Sequence, residues 1–208
     1  SFIVAAGNNK LFKLTGTVLS ELTYGGGGTA PTISFNNWQM AALNGALYIY
    51  QIGHDPLVFD PAVSTTTYRR ISEAAGYTGT VQSSNCVISA YGRTWSANTA
   101  SDKSTIQFSD ILAGQKLTAG TSGTLNIATV WPNGADEIVA LAAHNGFLMV
   151  FGRRQILIYS GASTPSTISL ADTVSGIGCF ARDSVVTTGG DILFLSDSGI
   201  RSFQRTIQ

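Results

Sequence analysis

Five times along this chain an apolar string runs into a tight Gly/Asn turn, a second apolar string, a second turn and a third string. The five stretches fall at about residues 2–22, 38–61, 85–111, 138–161 and 184–203. Their first-turn glycines are Gly7, Gly45, Gly92, Gly146 and Gly190, spaced 38, 47, 54 and 44 residues apart. That spacing brackets the roughly 40–50 residues of a propeller-blade repeat. A short antiparallel sheet is only marginally stable alone, and packing such sheets face to face around an axis buries both faces of each. The expected fold is therefore all-β, a β-propeller of five or six small antiparallel blades occupying residues 1–208.

Local chemistry agrees with strands. "ALYIYQ", "FLMVFG" and "DILFLS" are short, rich in β-branched and aromatic residues, and bounded by turn formers. Asn44-Gly45 and Asn145-Gly146 are strong hairpin signals, because both central residues of a type I′ turn need positive φ. Gly53 to Pro56 and Asp197 to Gly199 read as second turns, with Asp197 bonded to its own turn backbone. No stretch longer than about ten residues keeps an apolar helical period. Between the repeats lie polar connectors at 23–34, 72–84, 113–124 and 160–176, each able to hold a further strand or to cross between blades. Gly25–Gly28 lack the following helix, Lys and Ser/Thr of a phosphate loop, and read as an inter-strand loop.

Charge narrows the function classes. Charged residues are 12% of the chain and the formal net charge is zero, against about 25% charged in a typical soluble domain. A protein that grips nucleic acid through phosphates shows a basic excess, and this chain has none. Few charges with 44% apolar residues point to surface covered by other subunits. No apolar run reaches the roughly 18 residues of a membrane helix, and the N-terminus does not resemble a signal peptide. The chain begins without Met and reads as a segment of a longer chain or a processed product. Cys86 and Cys179 sit inside apolar strings as expected buried thiols of a reducing compartment, with a disulfide left open.

Residues that carry chemistry are few. His54 and His144 lie beside turn glycines, and the His54-Asp55 neighbours lack a nucleophile elbow to complete a triad. The oxygen donors in turns do not alternate as calcium-loop ligands do. No catalytic residue, metal or cofactor is expected. Scattered carboxylates leave paired-carboxylate glycoside hydrolysis open, although Trp38, Trp95 and Trp131 lie in or beside strands, where packing is their ordinary role. Two basic pairs stand out, Arg69-Arg70 and Arg153-Arg154. A guanidinium in a turn suits a subunit carboxylate or a DNA phosphate, and a solvated turn is the plainer reading.

Three strings resemble one family. Arg93-Thr94-Trp95 followed by Gln107-Phe108-Ser109-Asp110 resembles its Arg-Leu-Trp strand and Tyr-Phe-Ser-Asp string. Ile177-Gly178-Cys179, Ser184-Val185-Val186, Phe194-Leu195-Ser196 and Gly199-Ile200-Arg201 follow its later pattern. The family is the tail nozzle, or tail tubular protein B, of short-tailed (podovirus-type) bacteriophages, together with the related head-closure, packaged-DNA-stabilisation proteins. The resemblance implies a non-enzymatic structural protein of the virion tail, assembled in the host cytoplasm. It also implies a homo-oligomer, a hexameric tube below a tail adaptor protein and near tail fibres, that retains packaged double-stranded DNA and passes it during ejection. At 208 residues the chain is shorter than nozzle chains, so it reads as a propeller segment or a minimal relative. The competing reading is a carbohydrate-binding or glycan-hydrolysing propeller, a receptor-binding module, which requires clustered carboxylates beside an exposed Trp or Tyr. A protein-interaction propeller of a cell is the third.

Overall fold

A computed structural model describes residues 2–33 and 37–206; Ser34, the last residue of the first polar connector, lies outside the described residues. The chain is all-β, and its strands form five successive antiparallel meanders. The first comprises β1 (Val4–Gly7), β2 (Lys10–Thr15) and β3 (Val18–Tyr24). The second comprises β4 (Gln39–Leu43), β5 (Ala46–Tyr50), β6 (Leu57–Phe59) and β7 (Thr67–Arg70). The third holds β8 (Cys86–Ala90), β9 (Arg93–Ala97), β10 (Thr105–Phe108) and β11 (Gly123–Asn126). The fourth holds β12 (Ala140–His144), β13 (Phe147–Phe151), β14 (Gln155–Ser160) and β15 (Ser169–Ser175). The fifth holds β16 (Val186–Thr188), β17 (Asp191–Ser196) and β18 (Gly199–Ser202), and runs into a one-turn helix, α1 (Phe203–Thr206).

The repeats of the sequence coincide with these meanders, with three differences. Strands β7, β11 and β15 give the middle meanders a fourth member, and β11 and β15 begin inside the polar connectors. The first-meander turn is made by Asn8 and Asn9, at φ 48° and 59°, while Gly7 closes β1. Strand β3 also pairs in parallel with β7 through Thr23–Thr67 and Tyr24–Tyr68, joining two meanders into one curled seven-stranded sheet.

Alternation along the strands gives each inner sheet two apolar faces, so the cores lie between meanders. Leu11 and Leu22 of the first pack against Ile49, Leu57 and Phe59 of the second. Tyr48, Tyr50 and Val58 meet Val87 of the third. Trp95, Ile106 and Phe108 meet Leu148, Val150 and Leu157 of the fourth. Met149, Phe151 and Ile156 meet Ile192 and Phe194 of the fifth. The first strands of four meanders come together: Gln39 of β4, Ile88 and Ser89 of β8, Leu141 to Ala143 around β12, and Thr187 of β16 line one cavity of about 260 Å³. Among the described residues, no strand of the first meander lines it. That meander instead lies on the second, attached through the outer edge of β7.

Candidate partner-contact groove

The β13–β14 turn is built around one carboxylate. Asp136 accepts the backbone N–H of Glu137 (2.8 Å) and of Arg153 (3.0 Å) on Oδ1, and that of Arg154 (2.9 Å) on Oδ2. Gly152 makes this approach feasible, since a Cβ there would lie 2.6 Å from Asp136 Oδ2. Gly178 packs on the far side, where a Cβ would lie 2.3 Å from the Arg153 carbonyl carbon. Held from both sides, the turn presents both arginines at the surface, where both are exposed.

They line a groove of about 630 Å³ with Lys103, Asn133, Glu137, Gln155 and Gly176. Arg153 Nε is paired with Glu137 Oε1. Lys103 Nζ donates to Asn98 Oδ1 at 2.8 Å, and Gln155 ties down the 133–134 loop through Asn133 N (2.8 Å) and Gly134 O (3.1 Å). The Arg154 side chain makes no ion pair among the described residues. The groove therefore offers one uncommitted guanidinium beside committed charges, suited to bidentate recognition of a carboxylate or phosphate.

The other sequence candidates lie elsewhere. Arg70 braces the join between the first two meanders: its Nε holds Asp55 Oδ2 at 2.7 Å, its Nη2 donates to Thr29 O at 2.9 Å, and its Nη1 reaches Glu73 Oε1 at 3.3 Å and the Tyr24 hydroxyl. Its guanidinium also lies 5.2 Å from the Tyr24 ring centre. Arg69 points to the opposite face of β7, into a small separate cleft. The two Arg pairs do not converge: Arg69 lines this cleft and Arg70 holds Asp55 and Thr29 on the other face, while Arg153 and Arg154 line the groove. Asp55 is held by Arg70 and His144 lines a third cavity with Phe147. In the fifth meander the carboxylate that takes backbone N–H groups is Asp191, from Ile192 (2.7 Å) and Gln204 (3.0 Å). Trp95 and Trp131 are buried, so neither offers the exposed platform of a sugar site. Cys86 and Cys179 are both free and buried, and burial pushes the Cys86 thiol up to about 12.

Two buried arginines were not among the candidate site residues of the sequence, although Arg93 opens one of the strings that resemble the nozzle family. Arg93, 3% exposed, donates to Ser109 O (2.8 Å) and Thr121 Oγ1 (2.5 Å) at the opposite end of the third meander from the 98–104 turn. Arg182, which lines the shared cavity, grips Asp183 with two bonds (2.7 and 2.8 Å) and reaches Asn37 Oδ1 at 2.7 Å and Asn85 O at 2.5 Å. The only sequence signal for Arg182 is a lone cation between the apolar strings "IGCFA" and "VV".

No family model matches the chain, and no curated protein matches it in sequence. Over 96% of its length it is similar in fold to the extracellular domain of a hybrid two-component system from B. thetaiotaomicron, with a TM-score of 0.53 at 12% identity. PorZ, a surface component of the type-IX secretion system of Porphyromonas gingivalis, aligns over 98% of the chain with a TM-score of 0.48 at 14% identity. The chain spans about a quarter of the length of these structures, 25% and 27%.

Proposed function

We propose that this chain is a rigid structural element of a short-tailed phage tail, a propeller-type wall segment of the nozzle or head-closure assembly that holds and then passes packaged DNA. One observation carries the reading: the strings that resemble the nozzle family lie on the strands and crossings that build the stack. Arg93-Thr94-Trp95 is in β9, Gln107-Phe108 ends β10, Phe194-Leu195-Ser196 ends β17 and Gly199-Ile200-Arg201 is in β18. The gathering of β4, β8, β12 and β16 around one cavity supports a propeller arrangement of the last four meanders. The outer sheet faces at both ends of the stack support assembly with further protein. Ile3 and Leu19 are exposed on the first, Val186, Leu193 and Ile200 on the fifth, and apolar surface of this kind is the usual mark of an interaction face. A conduit for DNA should also not accumulate phosphate contacts, because each neutralised phosphate adds affinity and drag.

The test is charge reversal at the groove in the phage: Arg153→Glu with Arg154→Glu, read out as particle assembly and genome retention. Assembly failure assigns Arg154 to a subunit contact, and intact particles that leak genome assign it to the DNA path. Wild-type particles and retention return the pair to a solvated turn. Absence of the chain from purified virions, or single monomers from any longer parent chain by light scattering and negative-stain imaging, overturns the structural reading itself.

A further inference from the structure

A second cleft opens between the second meander and the loops of the third, with a volume of about 120 Å³. Tyr48 and Val58, on adjoining strands β5 and β6, form its floor. Register builds one wall. Val58 pairs with Arg69, so Asp60, two residues on, lies on the same face, opposite Thr67 and diagonal to Arg69. Ala74, Ala75 and Gln115 close the other side.

Two opposite charges share this space without neutralising each other. Arg69 makes no ion pair among the described residues, while its neighbour Arg70 is fully engaged on the other face of the strand. Asp60 accepts one backbone N–H, from Ala62 at 2.9 Å, on Oδ1. Tyr48 donates its hydroxyl proton to Gln115 Oε1 at 3.0 Å, and the Gln115 amide is anchored on Ala75 O at 3.3 Å. Burial raises the Tyr48 pKa, the Gly114 N–H opposes that, and the Asp60 charge adds to it, so the carboxylate and the phenol feel each other across the cleft.

We infer that this cleft binds a small zwitterion of the α-amino acid class, with its carboxylate on Arg69 and its ammonium toward Asp60. Size sets the class: at about 30 Å³ per water, the space holds about four waters or roughly five to six heavy atoms of a compact ligand. Charge sets the polarity. A simple anion drawn to Arg69 meets the Asp60 carboxylate, and a simple cation drawn to Asp60 meets Arg69, so each is rejected by the charge it cannot satisfy. Only a dipolar molecule satisfies both, through charge-assisted hydrogen bonds.

Isothermal titration of the full chain with glycine tests this, run beside acetate and methylammonium, which each carry one of the two charges. Saturable glycine binding is expected, with acetate and methylammonium each about tenfold weaker or more, the worth of one charge-assisted hydrogen bond. Arg69→Met and Asp60→Asn should each weaken glycine by about tenfold, and Arg69→Lys should restore part of the loss. Both side chains are partly exposed, so thermal melts of the variants should match the parent and separate lost binding from lost fold. Absence of saturable heat with glycine overturns the inference. So does equal affinity for acetate, or glycine binding unchanged in both Arg69→Met and Asp60→Asn.

Discussion

Arg182 is the residue through which the fifth meander is tied to the second and third. Its side chain is almost wholly buried, yet all three guanidinium nitrogens are matched: Nε and Nη2 by Asp183, Nη1 by Asn85 O and Oδ1, and Nη2 again by Asn37 Oδ1. Asn37 and Asn85 stand just before β4 and β8, and Arg182 stands just before β16, so one planar group fixes three strand entries at the end of the shared cavity. A buried cation is tolerable only while its partners stay in place, and its removal takes the donor from the half-buried Asn85 carbonyl and amide oxygens. Arg182→Met should therefore cost about 3 kcal/mol of unfolding free energy in urea. Arg182→Lys should recover only a small part, because an ammonium cannot reproduce the fork. A loss below about 0.5 kcal/mol, the range of ordinary surface substitutions, would remove the hub role. Sequence reading could not find this residue, since its partners lie 97 and 145 positions away. It singled out Arg153-Arg154 instead because two adjacent cations in a turn stand out locally.

At the scale of the element, the hairpins were legible wherever the turn chemistry is carried by the residues themselves. Asn44 and Asn145 have φ of 49°, followed by Gly45 at 82° and Gly146 at 84°, which is the paired positive φ that Asn-Gly is suited to. Tyr91 takes the same position at φ 53° before Gly92, and nothing in a tyrosine announces it. The conformation is held from outside, by its hydroxyl on Phe147 O at 2.8 Å. Strand β15 was hidden for a related reason: as an outer strand it is mostly exposed, so "SLADTVS" shows no apolar alternation to read. The parallel β3–β7 join was equally silent, because only two residue pairs make it. The two Asn-Gly turns look identical in sequence and differ in structure, since Asn44 Nδ2 also donates to Leu112 O of the third meander at 3.2 Å. Asn145→Ala should then cost about 1 kcal/mol, the penalty of a left-handed non-glycine residue, and Asn44→Ala about 2 kcal/mol, with the inter-meander hydrogen bond added. Asn44→Gly should restore only the backbone share. Equal losses in Asn44→Ala and Asn145→Ala by urea unfolding would show that the Leu112 contact adds nothing.

For the whole molecule, the carboxylates that hold the meanders in shape decide how it responds to acid. The Thr105 hydroxyl and the Ser104 N–H hold Asp102 below its ordinary value, and the Thr121 N–H does the same for Asp110. Burial raises Glu73, but the Tyr24 hydroxyl, the Arg70 N–H and the Arg70 charge together bring it below its ordinary value. Asp191 follows the same balance, with burial outweighed by the Ser202 hydroxyl and the N–H groups of Gln204 and Ile192. These groups sit in the second, third and fifth meanders, so protonation loosens turns and ends within several meanders and, at Glu73, the link to Tyr24 of the first, and not one site. A carboxylate whose folded pKa is depressed contributes stability that is present above its unfolded pKa, about 4, and that is lost as pH falls through the folded value. Thermal midpoints should therefore hold between about pH 7 and 5 and fall as pH drops from about 4 toward 2. Asp110→Asn should lower the midpoint at neutral pH and flatten the acid limb, because the group that loses its charge in acid is already neutral. A midpoint that falls as steeply in acid in Asp110→Asn as in the parent would mean that the Asp110–Thr121 join does not contribute. A fall already under way between about pH 7 and 5 would assign the response to groups other than these four, since none of them takes up a proton in that range.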